Sequence, residues 1–191
     1  LLIVLAIRYL YLKKDLSVLS IIPTRGNKID PHSVPLSKLG DKKLIDWTIE
    51  ASINSDLVKD TIITSPDSNV LEYVKHYGDK IISLKRKKSF AELNQSLDKT
   101  IDYTLKEYEN NNGPVDLIII LNIEFPFRST MYINKAINTL KLFDTDCVIG
   151  AVNDDNIYYQ HDGNGLKARL NNSSLRLERN NLFRKAGGIS L

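Results

Sequence analysis

The residues best suited to chemistry stand together in one short stretch, IIPTRGNKIDPHSVPL, from Ile21 to Leu36. It starts as an apolar strand and becomes an irregular loop carrying Thr24, Arg25, Gly26, Asn27 and Lys28. A glycine lets backbone N–H groups approach an anion closely, and a neighbouring arginine and lysine add charge-assisted hydrogen bonds to phosphate oxygens. The combination suits a nucleoside triphosphate held by Arg25 and Lys28, with Thr24 and the backbone near Gly26 and Asn27 beside it. The spacing is no Walker motif, and an Arg-Gly pair by itself also makes an ordinary turn.

Other polar residues have two readings each. Asp154 and Asp155 follow a strand and can bind Mg²⁺ through carboxylate oxygens, yet NDDN is equally turn chemistry. The run Lys85 to Lys88, KRKK, reads as a solvated strand end or as a basic rim that attracts an anion. Asp67 shapes a turn or touches a ligand. Three scattered histidines, His32, His76 and His161, have no zinc spacing, and the single Cys147 excludes an intramolecular disulfide. Cys147 sits in an apolar run and reads as a buried thiol, Trp47 as a core side chain. A reducing cytoplasm fits this cysteine usage.

These residues need a scaffold, and the hydrophobic pattern supplies one. Ile- and Val-rich runs at Val18 to Ile22, Thr61 to Ile63, Ile81 to Leu84, Leu117 to Leu121 and Cys147 to Val152 show little alternation, as strands buried on both faces do. Between them, apolar residues recur at helical spacing: Leu44 to Ile53, Val70 to Val74, Phe90 to Leu105 and Ile133 to Leu140. The βαβα order predicts an α/β fold, a Rossmann-like mostly parallel sheet with helices on both faces. Ligands of such sheets bind beyond the carboxyl ends of the strands, where the Arg25 loop falls. Asp162 to Gly165 marks a small inserted β-hairpin, and the asparagine-rich Glu109 to Gly113 reads as a loop.

At 191 residues, with 42% apolar and 26% charged residues, the chain forms one domain, assigned to residues 18–191. A net charge of +3 gives little support to nucleic-acid binding. The apolar run LLIVLAIRYLYL stops at Leu12, short of the roughly 20 residues that span a bilayer, so a membrane partner is not established. Residues 1–17 read as an N-terminal extension or the remnant of an upstream segment, and both ends as cut from something longer.

The order of motifs resembles the acylneuraminate cytidylyltransferase (CMP-sialic acid synthetase) family, over about Val18 to Leu191. The resemblance rests on the Pro-x-Arg-Gly loop at Pro23, Arg25 and Gly26, on LGDKKLIDWTIEA from Leu39 to Ala51, and on the turn ending at Asp67. The helix closing at Tyr77 and Gly78 and LNIEFPFR from Leu121 to Arg128 add to it. It implies a nucleotide-diphospho-sugar transferase-like fold and transfer of CMP from CTP to the anomeric hydroxyl of an acidic nine-carbon sugar, with Mg²⁺ and release of pyrophosphate. It implies too that Arg25 and Lys28 hold the triphosphate, that Asn122 stands where a family glutamine contacts cytosine, and that Arg128 closes that loop. Arg176, Arg179 and Arg184 fall where the family carries arginines near the sugar, which suits a carboxylate clamp. A homodimer is implied, built from the region that begins near Asn153.

The chain also departs from that pattern. Its first loop is shorter than the family's Arg-Gly-Gly-Ser-Lys-x-Ile-Pro-x-Lys-Asn, and the second lysine and the asparagine have no match; His32 and Ser33 fall nearby. Glu124 brings a negative charge to the other loop, and the metal-binding acids of the family would lie beyond Leu191, so the metal ligands stay unassigned. A non-catalytic nucleotide-binding or dimerisation domain derived from the family is therefore the alternative.

Overall fold

The computed structural model describes residues 16–92, 95–154, 156, 158–168 and 182–191. The N-terminal apolar run, Asp155, Arg176 and Arg179 lie outside them. Leu16 and Ser17 already belong to the fold: Leu16 packs against the core, and the Ser17 carbonyl accepts from the Asp116 and Leu117 amides at 2.9 and 3.2 Å.

Strand β1 (Val18–Pro23) is buried along almost its whole length because it lies between two strands and two helical layers. It pairs in parallel with β4 (Asp60–Ser65) on one side and β6 (Leu117–Ile120) on the other, and β4 pairs in parallel with β5 (Ile82–Lys85). The last strand, β10 (Leu182–Ser190), runs antiparallel to β6, with Ser190 opposite Ile120. With β7 (Ile149–Asp154) the sheet has the order β5-β4-β1-β6-β10-β7. The mostly parallel sheet expected from the sequence is present.

Successive side chains of a strand point to opposite faces, and β1 splits its apolar residues accordingly. Val18 and Ile22 join a core with α1 (Leu44–Ile53), α2 (Ser68–Val74) and α4 (Thr130–Phe143). Leu19 and Ile21 face the other way, towards Ile101 and Tyr108 of α3 (Leu97–Asn112). Helices therefore cover both faces. The seam between α1 and α2 is polar at one point: buried Asp46 accepts from Tyr73 Oη at 2.7 Å, Tyr77 Oη at 3.0 Å and the Lys43 amide at 2.9 Å. Burial, reinforced by that hydrogen bond, pushes the Tyr73 phenol up to about 12, and burial beside the same carboxylate raises Tyr77 further.

Several local expectations are corrected. The asparagines of Glu109 to Gly113 are the last turn of α3 rather than a loop, and Gly113, at φ 82°, ends it. Asparagine is a weak helix former, but here the Asn111 and Asn112 side-chain amides donate back one turn to the carbonyls of Glu107 and Tyr108. The same helix begins at Leu97 under a Ser96 cap, later than the apolar spacing from Phe90 suggests. Strand β7 starts at Ile149, so Cys147 lies in the turn before it and is exposed instead of buried. A small hairpin, β2 (Lys38–Leu39) and β3 (Lys42–Lys43), has no apolar signature at all. Trp47 is half-buried and clasps this hairpin, its Nε1 donating to the Leu39 carbonyl at 3.1 Å and its ring meeting the edge of Phe127.

The described residues form two compact units, one up to Ile149 together with Gly187–Leu191, the other between Gly150 and Ala186. The smaller holds the expected hairpin, β8 (Tyr159–His161) with β9 (Leu166–Ala168), closed by Asp162 Oδ1 accepting from the Asn164 and Gly165 amides. No helix among the described residues is long and apolar enough to cross a membrane.

Candidate functional site

Parallel pairing brings the carboxyl ends of β1, β5 and β6 to one edge of the sheet, where chains leaving a parallel sheet leave a crevice. There a cleft of about 430 Å³ is walled by Thr24, Arg25, Asp30, His32 and Ser33 from the first loop, Arg86 after β5, and Asn122 and Glu124 after β6. Three residues singled out from the sequence, Thr24, Arg25 and Asn122, thus meet across separate strands. Arg25 Nη1 pairs with Asp30 Oδ2 at 3.3 Å and Nη2 reaches the Glu92 carbonyl at 3.5 Å. The Arg25 side chain keeps 32% of its surface accessible, so this pair leaves it open to a ligand.

Arg86 is a cleft-wall side chain that the sequence reading did not single out from its run. It belongs to the KRKK run, yet it is only 4% exposed. Its Nη1 donates to the Thr64 carbonyl, its Nε has no hydrogen-bond partner, and no acid among the described residues pairs with it. Burial lowers its guanidinium to about 10, and the charge of Arg25 pushes in the same direction. The Thr24 hydroxyl, buried in the same wall, is likewise without a partner. Buried polar groups are normally satisfied, and both of these remain free to take an acceptor. The signal lay in strand period: Ile82 and Leu84 face inward while Ser83 and Lys85 are exposed, and Arg86 continues the inward set.

The remaining predicted residues take other places. Lys28 is exposed on the turn and is not part of the cleft wall, so the second cation there is Arg86 instead. Gly26 adopts φ 80° and is pressed against Asp67, where an added Cβ would stand 2.6 Å from the Asp67 Cβ. Its N–H, expected to face phosphate, donates to Ser33 Oγ at 3.2 Å because the shortened loop closes on itself, and its carbonyl accepts from the Ile29 and Asp30 amides. Asp67 is buried; it caps α2 by accepting from the Asn69 amide at 2.9 Å. With Asn27 it borders a second cleft of about 210 Å³ beside the first loop. Arg128 is buried under the site: its guanidinium donates to the Asn122 and Gly188 carbonyls and to Thr48 Oγ1. It positions the Asn122 loop against α1 and β10. Phe125 of the same loop fits only because Gly187 and Gly188 carry no side chain, a Cβ on Gly187 standing 2.5 Å from the Phe125 Cε2.

Asp154 is engaged within its own unit. It accepts from Tyr158 Oη and from the Asn156 amide and side chain, and pairs with Arg184 Nε at 3.4 Å. The Tyr158 hydrogen bond, with Asn156 adding to it, holds its carboxyl below the usual carboxylate range. Arg184 is correspondingly occupied as an internal partner. The described residues contain no cluster of three or more His, Cys, Asp or Glu side chains able to hold a metal ion. Asp30 and Glu124 are the carboxylates on the cleft wall. Asp30 already holds Arg25 on one carboxylate oxygen and the His32 amide on the other.

Comparison with known proteins follows the same lines. Residues 21–184 match the Cytidylyltransferase family profile. The chain is 28% identical over 65 residues to 3-deoxy-manno-octulosonate cytidylyltransferases of two Leptospira interrogans strains, a match covering 34% of this chain and 26% of those relatives' length. In fold it is similar to 4-diphosphocytidyl-2C-methyl-D-erythritol synthase of Anaerococcus prevotii, with TM-score 0.68 and 13% identity over 94% of this chain and 71% of that one. It is similar too to a CMP:2-keto-3-deoxy-manno-octonic acid synthetase solved with CTP, with TM-score 0.63 and 13% identity over 91% and 73%. These relatives do not include an acylneuraminate enzyme, so the finer branch suggested by the motifs is not established by them. The coarser assignment is: the chain belongs to the cytidylyltransferase family.

Proposed function

We propose that this protein transfers CMP from CTP to the anomeric hydroxyl of an acidic keto-sugar of eight or nine carbons, releasing pyrophosphate. The observation that carries the reading is the pair Arg25 and Arg86 at the carboxyl edge of a parallel sheet, the second buried without an acid partner. In such a transfer the sugar oxygen bonds to the α-phosphorus as the bond to the pyrophosphate oxygen breaks. Catalysis then consists mainly of positioning and neutralising charge on the phosphates. Arg25 is accessible enough to swing from Asp30 to a phosphate oxygen, and Arg86 offers a fixed, desolvated donor whose strength is increased by the low local dielectric. Asn122 presents an amide that can both donate to and accept from a base edge. Mg²⁺, bound by the phosphates with Glu124, would supply further charge neutralisation.

The sugar acid is supported by the names of the octulosonate relatives and by the motif resemblance to the nine-carbon branch. We place the reaction in the cytoplasm, where Cys147 stays a thiol. A homodimer is the family expectation, and the exposed Tyr159, Leu166 and Phe183 of the smaller unit offer it apolar surface. The second reading, a non-catalytic nucleotide-binding module, is favoured by Glu124 on the cleft wall and by the Arg25–Asp30 pair.

The test is to mix the full-length protein with CTP, Mg²⁺ and a panel of eight- and nine-carbon sugar acids and to measure pyrophosphate. Turnover supports the enzyme, binding without turnover the module, and no CTP binding removes both. Arg25→Ala abolishes CTP binding and leaves the fold intact, since its part-exposed ion pair contributes about 0–1 kcal/mol. Unchanged affinity takes Arg25 out of the site.

A further inference from the structure

The pairing of β6 with β1 ends at Leu121, whose amide donates to the Ile21 carbonyl at 3.0 Å, and Asn122 is the first residue beyond it. The Asn122 side chain lines the cleft and makes no hydrogen bond among the described residues. Its main chain, by contrast, is held firmly. The Asn122 carbonyl accepts from both arms of the Arg128 guanidinium, Nη1 at 3.4 Å and Nη2 at 3.3 Å, and from the Phe125 amide at 3.5 Å. The same two nitrogens donate to the Gly188 carbonyl of β10 and to Thr48 Oγ1 of α1, the latter at 3.3 Å. Gly188 is 60 residues from Arg128 in the chain and Thr48 is 80, so one buried planar fork ties the Asn122 loop to two elements distant in sequence. A lysine, with a single point charge, cannot serve three such acceptors in fixed directions.

We propose that Arg128 is a positioning residue for base recognition: by clamping the Asn122 main chain it holds the free Asn122 amide ready for the cytosine ring, and it acts on CTP affinity only through Asn122. The inference rests on the reading of the cleft as a CTP site with Asn122 at the base. A primary amide can donate to and accept from a base edge, but an asparagine on an unfastened loop has to be ordered when the nucleotide binds, and that ordering opposes affinity. Charge-assisted bonds to the Asn122 carbonyl order the loop beforehand. Arg25 and Arg86 reach the cleft from other strands, so contacts to phosphate do not depend on the clamp.

A double-mutant cycle on the full chain tests this. Wild type, Asn122→Ala, Arg128→Met and the double variant are each checked by thermal melting, then titrated calorimetrically with CTP and with inorganic tripolyphosphate, which has no base. Where the methionine variant melts early, Arg128→Lys runs the same cycle with a charged donor kept. Asn122→Ala and Arg128→Met each weaken CTP binding about ten-fold, the loss of one hydrogen bond, and the double variant binds CTP no more weakly than Asn122→Ala alone. Tripolyphosphate binds all four alike. Unchanged CTP affinity in Arg128→Met, additive losses in the double variant, or an equal loss on tripolyphosphate overturns the role of Arg128 and leaves the CTP site standing, as does failure of both Arg128 variants to fold. Unchanged CTP affinity in Asn122→Ala removes the base contact and this inference with it, while the phosphate contacts stay. Absence of CTP binding by the wild type overturns the site and the inference together.

Discussion

Replacing Arg86 by methionine separates what this residue does for stability from what it does for binding. The guanidinium is buried without an acid partner, and its pKa falls from the ordinary 12.5 to about 10. A displacement of that size disfavours the charged form in the folded protein by roughly 3 kcal/mol. The penalty is fully present below about pH 10 and is relieved only above it, so it acts at neutral pH. Against it stands the hydrogen bond to the Thr64 carbonyl, worth about 1.5–3 kcal/mol for a charged donor. That carbonyl keeps the Thr24 amide at 3.0 Å as a second donor, so the substitution does not orphan it. Methionine has a similar length and an adaptable apolar chain. The terms sum to a change between neutral and about 1.5 kcal/mol more stable, a rise of up to about 5 °C in melting temperature for a chain of this size. Loss of one charge-assisted bond to phosphate costs about 2 kcal/mol of binding, roughly thirty-fold in CTP affinity. Thermal melts and calorimetric CTP titrations read the two quantities on the same sample. A melting temperature lowered by more than about 5 °C with CTP affinity unchanged refutes the argument, because Arg86 would then be a structural strut.

Two further perturbations follow from geometry. Gly26→Ala puts a Cβ against Asp67 at a φ that costs an L-residue about 1–2 kcal/mol, so melting drops by several degrees and CTP affinity falls with the displaced loop; an unaltered melt and titration contradict the close approach. Tyr73 and Tyr77 carry folded pKa values above the unfolded value of about 10, so their contribution is full below that pH and is lost as the pH rises through the folded values, about 12 for Tyr73. Melting temperature therefore declines between about pH 10 and 12, and the double change of Tyr73 and Tyr77 to Phe flattens that decline. Spectroscopic titration checks the origin, and all tyrosines ionising together near the free value would remove it.

Strand and helix order could be read directly, because strands buried on both faces give short unbroken apolar runs and one-sided helices a period of 3.6. Val18 to Ile22, Leu44 to Ile53 and Ile133 to Leu140 show this, and the loop after Pro23 falls at the edge where such a sheet binds ligands. Where the local signal was weak, packing decided instead. The last turn of α3 runs through three asparagines held by the burial of Tyr108, and β2–β3 is a polar hairpin held by Trp47.

The sequence by itself determined the α/β order, the broad cytidylyltransferase family though not its branch, and the position of Arg25, since each is written in local pattern or in contiguous motif. Only the tertiary structure decided which cation stands beside Arg25. Arg86 and Lys28 are both basic and both flank turns, but β5 points Arg86 inward while the tight Gly26 turn leaves Lys28 in solvent. Arg128 changed role for the same reason: its motif position suggested a ligand contact, and the approach of Gly188 and Thr48, far from it in the chain, supplied acceptors that bury it. Charge type is a property of the residue, whereas its partner is a property of the elements that converge on it, and no spacing within one segment records which distant segment that will be.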